Sequence, residues 1–133
     1  VDTRNKIKSV NEALAAGLQA KDEGKRLVVS YGEYDPLLAE HAERLAARRT
    51  ESSWNVVAVL PGKDPLLPLE ARCNLVAALR CVDCVVPYEQ PLSMLQMAAG
   101  KAELHDDRQT DAAARDALIA RIHAKQKLAT QPE

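Results

Sequence analysis

No sign of charge dominates this chain of 133 residues: 18 Lys and Arg stand against 19 Asp and Glu, interleaved along the sequence. Without a basic face there is no electrostatic footprint for nucleic acid or for an anionic membrane, and neither is expected as a partner. No apolar run approaches the ~18 residues that a membrane span needs, and the start, Val1-Asp2-Thr3-Arg4-Asn5-Lys6, lacks the apolar stretch of a secretory signal. The expectation is a soluble cytoplasmic protein. The first residue is not Met, which leaves open a shortened chain, a piece of a longer one, or processing. Internal repeats and long linkers are missing too, so one domain with one core is expected.

Cysteine is scarce and odd in number: Cys73, Cys81 and Cys84. An odd count in a chain large enough to build a core argues against a disulfide framework and for reduced thiols. Cys81-Val82-Asp83-Cys84 has CxxC spacing, yet no second CxxC or HxxxH pair accompanies it, and it leads into an apolar strand rather than a helix N-terminus. These cysteines therefore read as structural. Ser30, Ser52 and Ser93 lack a nucleophile elbow, and no His partner for a cysteine is apparent.

What the chain does carry is an alternation of helix and strand patterns. Ile7, Val10, Leu14 and Leu18 recur at helical spacing and predict an amphipathic helix over 6–20, with Gly24 as its stop. The β-branched run 26–31 ends at Gly32 and reads as a buried strand entering a turn. Asp35-Pro36 then reads as a helix start, Asp35 as N-cap and Pro36 in the first turn, with a second helix running to about 49 and Leu37, Leu38, His41, Leu45 and Arg48 along one side. A second strand is expected over 54–60, a third helix over 68–80 with Leu69, Cys73, Val76 and Leu79 inward, and a third strand over 82–87. Beyond Tyr88 the patterns give a short helix over 91–99, an edge strand over 101–105, and a long Ala-rich helix over 107–127 striped by Ala114, Leu118 and Ile122, which either packs on the sheet or pairs with a second copy. The tail 129–133 is expected to fray. Residues 1–24 thus form a leading helix, 25–88 a βαβαβ core and 89–133 a helical C-terminal region. Strands alternating with helices over short connections imply right-handed crossovers and a parallel sheet, an α/β three-layer architecture.

Within the core the order of motifs resembles the cytidylyltransferase-like nucleotidyltransferases, especially the adenylyl-transferring domain of ADP-heptose synthases and the glycerol-3-phosphate cytidylyltransferases. The residues that carry it are Tyr31-Gly32-Glu33-Tyr34-Asp35-Pro36-Leu37-Leu38-Ala39-Glu40-His41, the strand Val56-Val57-Ala58-Val59 leading to Asp64, Pro68-Leu69-Glu70-Ala71-Arg72, and Leu79-Arg80-Cys81-Val82-Asp83-Cys84-Val85-Val86. The match covers about half the chain and is most specific over 69–86. The resemblance implies a Rossmann-like nucleotidyltransferase fold. The implied reaction is attack by an acceptor phosphate on the α-phosphate of a nucleoside triphosphate, with pyrophosphate leaving and Mg²⁺ carried by the triphosphate. Two histidines of an HxGH motif and the amides at a helix N-terminus stabilise the developing charge in such enzymes.

This sequence departs from that pattern. Leu38 replaces the first histidine, and loss of one aimed donor typically costs on the order of 10²–10³ in rate. Glu40 replaces the glycine; a carboxylate held about 4 Å from a phosphate oxygen would repel it by roughly 4 kcal/mol, unless it points away. Tyr31 stands where Asn is expected, Lys63 is the only basic residue left in the shortened loop around Asp64, and no Ile-Ser-Thr-Thr type segment follows Tyr88. The resemblance therefore implies a nucleotidyltransferase-like protein with a degenerate HxGH motif, catalytically impaired, keeping a ligand-binding or interaction role as a homodimer. The alternative is an active enzyme moving CMP or AMP to a phosphorylated sugar or polyol, and a third reading is a plain binding domain for a small anion.

His41 is the candidate catalytic residue, and Gly32, Tyr34, Asp35, His41, Lys63, Asp64 and Arg72 are the candidates for binding a nucleotide or anion. Each has a bland reading beside it. His41 is a half-buried helical histidine, Asp35 an N-cap, and Arg72 the partner in a surface or inter-subunit ion pair. His105-Asp106-Asp107 offers metal-capable side chains, but neighbours in sequence seldom meet one ion and a capping role is favoured; no metal site is expected. Trp54 reads as a packing residue.

Overall fold

The computed structural model describes residues 2–130. A short 3₁₀ turn over Thr3–Lys6 precedes α1 (Val10–Asp22), β1 (Arg26–Gly32), α2 (Ala39–Ala47), β2 (Ser53–Val59), α3 (Leu69–Ala77), β3 (Cys84–Pro87), α4 (Leu92–Ala99), β4 (Glu103–Asp106) and α5 (Arg108–Thr130). The four strands form one parallel sheet in the order β3-β2-β1-β4. The alternation legible in the sequence is thus realised as a Rossmann-like α/β fold with a long C-terminal helix. None of the described helices is long and apolar enough to cross a membrane.

Strand register brings the chemistry to one end. Gly32 lies opposite Val59, Val59 opposite Pro87, and Tyr31 opposite Asp106, so the loops leaving all four strands gather at their C-terminal edge. After β3 the chain crosses to the far side of β1, making the β1/β4 gap the point where strand order reverses, and such points are where open parallel sheets place ligands. The Asp107 amide donates to the Tyr31 carbonyl at 2.8 Å and carries the β1/β4 ladder directly into α5.

One face of the sheet packs under α2 and α3 through Val57, Val59, Val85, Leu45, Cys73 and Val76, all fully or nearly fully buried. On the other face Tyr31, Ala58 and Tyr88 form a smaller cluster under α1 and α4. These two helices leave an apolar groove of about 400 Å³ between them, with Leu14, Leu27, Trp54 and Met94 among its walls. Trp54 packs as the sequence implied, and a Cβ on Gly17 would come within 3.5 Å of its ring.

Several boundaries differ from the sequence-based expectation, each for a local reason. The first helix begins at Val10 rather than near Lys6, because Ser9 Oγ accepts from the Glu12 amide and Glu12 Oε1 from the Ser9 amide, a capping box that sets the start. Ile7 pairs with Val85 in an isolated parallel bridge, and the Lys8 amide donates to the Val85 carbonyl. The second helix starts at Ala39, four residues after the proposed Asp35 cap. Ala129 and Thr130 are helical rather than frayed, and 131–133 lie outside the described residues.

The three thiols are free, as expected. Burial pushes the Cys73 and Cys84 thiols up to about 11, and also raises half-buried Cys81. A thiol reagent at pH 8 is therefore expected to reach at most Cys81 within minutes in the folded chain, and all three cysteines in guanidinium. Rapid labelling of Cys73 or Cys84 in the folded chain would contradict this packing.

Candidate functional site

The loop from Glu33 to Leu38, at the end of β1, is where the sequence placed the site. Its backbone takes an unusual path: Tyr34 has φ 47°, a left-handed conformation that costs a non-glycine residue on the order of 1 kcal/mol. The contacts that hold it there come from the start of α5. Asp111 Oδ2 accepts from the Glu33 amide at 3.0 Å and the Tyr34 amide at 3.2 Å, and the Tyr34 hydroxyl donates to Asp107 Oδ2 at 2.7 Å. Gly32 is required by the same approach, since a Cβ there would sit 2.1 Å from Asp111 Oδ2.

α2 has no capping oxygen at its N-terminus. Leu38 occupies the cap position, where a leucine side chain can accept nothing. His41 supplies the missing acceptor: its Nδ1 receives the Leu38 amide at 2.9 Å, the part usually played by Glu or Gln three residues into a helix. Nδ1 is therefore the unprotonated ring nitrogen and Nε2 carries the hydrogen. The ring is 1% exposed, so it is a fully buried residue rather than the half-buried one of the bland reading. Its Nε2 lies 3.1 Å from Asp111 Oδ1, off the line of a hydrogen bond. Arg44 Nη1 stands 3.8 Å from Asp107 Oδ1 and from Asp111 Oδ1. His41 Nε2, Arg44 Nη1 and Asp111 Oδ1 are all buried without a hydrogen-bond partner among the described residues.

Asp107 is the best-satisfied member of the cluster. Arg48 grips it as a fork, Nη1 to Oδ2 at 2.8 Å and Nη2 to Oδ1 at 2.7 Å, and Arg48 Nη1 also donates to Ser30 Oγ. Burial pushes the Asp107 carboxyl up, but the hydrogen bonds from Arg48 and Tyr34 outweigh it and hold the group below the ordinary aspartate range. Burial first, and then the Asp107 charge, pushes the Tyr34 phenol well above its ordinary value. Tyr34, a candidate for touching a ligand, is 0% exposed and spends its hydroxyl internally.

Asp35 does not cap α2. Its buried carboxylate accepts from the Leu66 amide at 2.6 Å and the Leu67 amide at 2.9 Å, and so ties the loop after β2 to the loop after β1. Arg115 of α5 reaches 3.9 Å from it. Arg72 corrects its reading as a surface or inter-subunit ion-pair partner, since it meets neither solvent nor a carboxylate. Wholly buried, it donates to four backbone carbonyls: Nε to Leu67, Nη1 to Glu33 and Leu60, and Nη2 to Pro61, at 2.7–3.0 Å. Those carbonyls belong to the same two loops, and Arg72 is the post around which they are built. Lys63 and Asp64 stand apart, exposed beside a shallow depression shared with Glu33, Gly62 and Arg115. Glu40 is exposed on the first turn of α2.

The structure thus joins Gly32, Tyr34 and His41 with four residues absent from the sequence-based set: Arg44, Arg48, Asp107 and Asp111. Their signal was spacing. Arg44 on α2 and Arg48 at its C-cap lie one turn apart, while Asp107, immediately before α5, and Asp111 and Arg115 on it recur every fourth residue. His105 turns elsewhere, to Glu103 at 2.8 Å, and Asp106 Oδ1 accepts the Arg108 amide, the capping role foreseen for this run. No group of three or more His, Cys, Asp or Glu comes together for a metal among the described residues. Asp35 and Asp107 spend both carboxylate oxygens on amide, hydroxyl or guanidinium donors, whereas Asp111 uses one oxygen on amides and leaves the other without a hydrogen bond among the described residues.

Comparison with known proteins points the same way as the fold. Bifunctional protein HldE of Edwardsiella ictaluri is 35% identical over 98 residues, which cover 67% of this chain and 20% of the relative. HldE of Pelobacter propionicus is 33% identical over 113 residues, 77% of this chain and 23% of the relative. HldE of Yersinia pestis is 38% identical over 81 residues, 54% and 17%. The chain spans about a fifth of the length of these curated relatives. No family model matches it. HldE is an ADP-heptose synthase with a cytidylyltransferase-like adenylyltransferase domain. These matches, on a parallel α/β sheet of the expected order, support a cytidylyltransferase-like nucleotidyltransferase family for the chain.

Proposed function

We propose that this chain is a nucleotidyltransferase-like domain impaired in catalysis, whose remaining role is ligand binding and interaction. The observation that supports this reading is the placement of His41: Nδ1 caps α2, and Nε2, buried without a hydrogen bond among the described residues, faces Asp111, so a phosphoryl group reaches it only if Asp111 moves. Leu38 offers no second donor, and Arg72, wholly buried, spends four of its five N–H groups on backbone carbonyls. An interaction role falls most naturally on α5, whose residues 120–130 are exposed throughout, with a second copy of the chain as the partner. Light scattering is then expected to give a mass twice that of one chain, falling to one when 119–130 are removed.

Incubated with CTP or ATP, Mg²⁺ and a phosphorylated sugar, the chain is expected to release no pyrophosphate above a protein-free control. Release that His41→Ala abolishes would instead establish the alternative, transfer of CMP or AMP to the sugar phosphate.

A further inference from the structure

We propose that the first turn of α5 is a built-in occupant of an oxyanion cradle: Asp111 stands where a phosphate group would be received, and oxyanions enter only as this turn lifts away. The inference rests on the nucleotidyltransferase-like reading and adds a self-blocking contact to it.

Four observations converge. Two consecutive backbone N–H groups, those of Glu33 and Tyr34, point at one oxygen of Asp111, the concave amide arrangement that binds anions. The other oxygen faces His41 Nε2 and Arg44 Nη1, yet hydrogen-bonds to neither, and both donors stay buried and unpaired. A planar carboxylate satisfies the amides and runs out of acceptors on the cationic side; a tetrahedral oxyanion brings the additional oxygens that those donors lack. Gly32 leaves the floor open, because any side chain there would collide with the group received. Finally, α5 is lightly held, burying only Asp111 and Ala114 along its 23 residues, so its first turn can pivot at Asp107 without opening the core.

If the cradle is filled by Asp111 more than nine-tenths of the time, affinity for an outside oxyanion is lowered roughly tenfold or more. Calorimetry with inorganic pyrophosphate and inorganic phosphate on the full chain tests this, at matched ionic strength. Asp111→Ala is expected to bind pyrophosphate at least tenfold more tightly than the parent, and the double variant carrying His41→Ala to lose that gain. Should Asp111→Ala not fold, Asp111→Asn preserves the shape without the charge and is expected to move affinity the same way. The parent chain gives an independent reading. Pyrophosphate titrated at millimolar concentration is expected to shift the Glu33 and Tyr34 amide resonances and to speed amide exchange in 108–114 together. A folded Asp111 variant that binds no tighter than the parent overturns the proposal, as does a parent chain whose Glu33 and Tyr34 amides ignore pyrophosphate. Neither result bears on turnover, so failure of the blocking contact and failure of the functional reading are told apart by the pyrophosphate-release assay.

Discussion

Arg72→Met is expected to cost most of the chain's stability, about 4 kcal/mol or more, visible as a large fall in the guanidinium midpoint. The reason is the number of acceptors left behind. Among the described residues, Arg72 alone donates side-chain hydrogen bonds to the carbonyls of Glu33, Leu60, Pro61 and Leu67. A buried acceptor without a partner costs about 1–3 kcal/mol, and methionine fills the space without supplying a single N–H. Arg72→Lys keeps the charge but lacks the planar fork that spans carbonyls from two loops, so an intermediate loss is expected. A fall below about 1 kcal/mol for Arg72→Met would show that those loops are held by something else.

Asp107→Ala is expected to cost about 3–5 kcal/mol, because it strands Arg48 in a buried position and leaves the Tyr34 hydroxyl without its acceptor. For a domain of this size that corresponds to a drop in Tm of about 10 °C or more. The same residue sets a pH dependence. Its carboxyl is held below the ordinary aspartate value in the folded chain. A group depressed by folding stabilises the native state fully above its unfolded pKa, ~4, and loses that contribution as pH falls through the lower folded value. The parent is therefore expected to lose stability on acidification below about pH 4, and Asp107→Asn, weaker at pH 7, to lose less over that range. Urea melts at pH 7 and pH 3 measure the two slopes; equal slopes would remove Asp107 from the account.

These two side chains also show where reading the sequence succeeds and where it stops. The strands were legible because β-branched runs at 26–31, 54–60 and 82–87 end at Gly32, Pro61 and Pro87, and the order of elements followed from the alternation. The start of α2 was misplaced because Asp35-Pro36 has the local form of a helix cap, while the amides that claim the Asp35 carboxylate lie at Leu66 and Leu67, some thirty residues away. Arg72 carries no local sign that its partners are carbonyls. Asp107 and Asp111 stand as acidic residues at the start of a helix, where they favour the dipole, and Asp107 reads as a cap. That they turn inward depends on β4 delivering α5 beside the loop after β1, a fact of strand order rather than of any window of residues. The departures at Leu38 and Glu40 pointed to an altered site. What they could not show is that the altered site is filled from within.

The central claim is that His41 Nδ1 is committed to capping α2, and the protonation pattern of the ring tests this most directly. In a long-range ¹H–¹⁵N spectrum of the ligand-free chain, the account predicts an unprotonated Nδ1 and a protonated Nε2, with a Leu38 amide protected from exchange. A ring carrying its proton on Nδ1, or a Leu38 amide that exchanges as fast as an exposed loop, would contradict it.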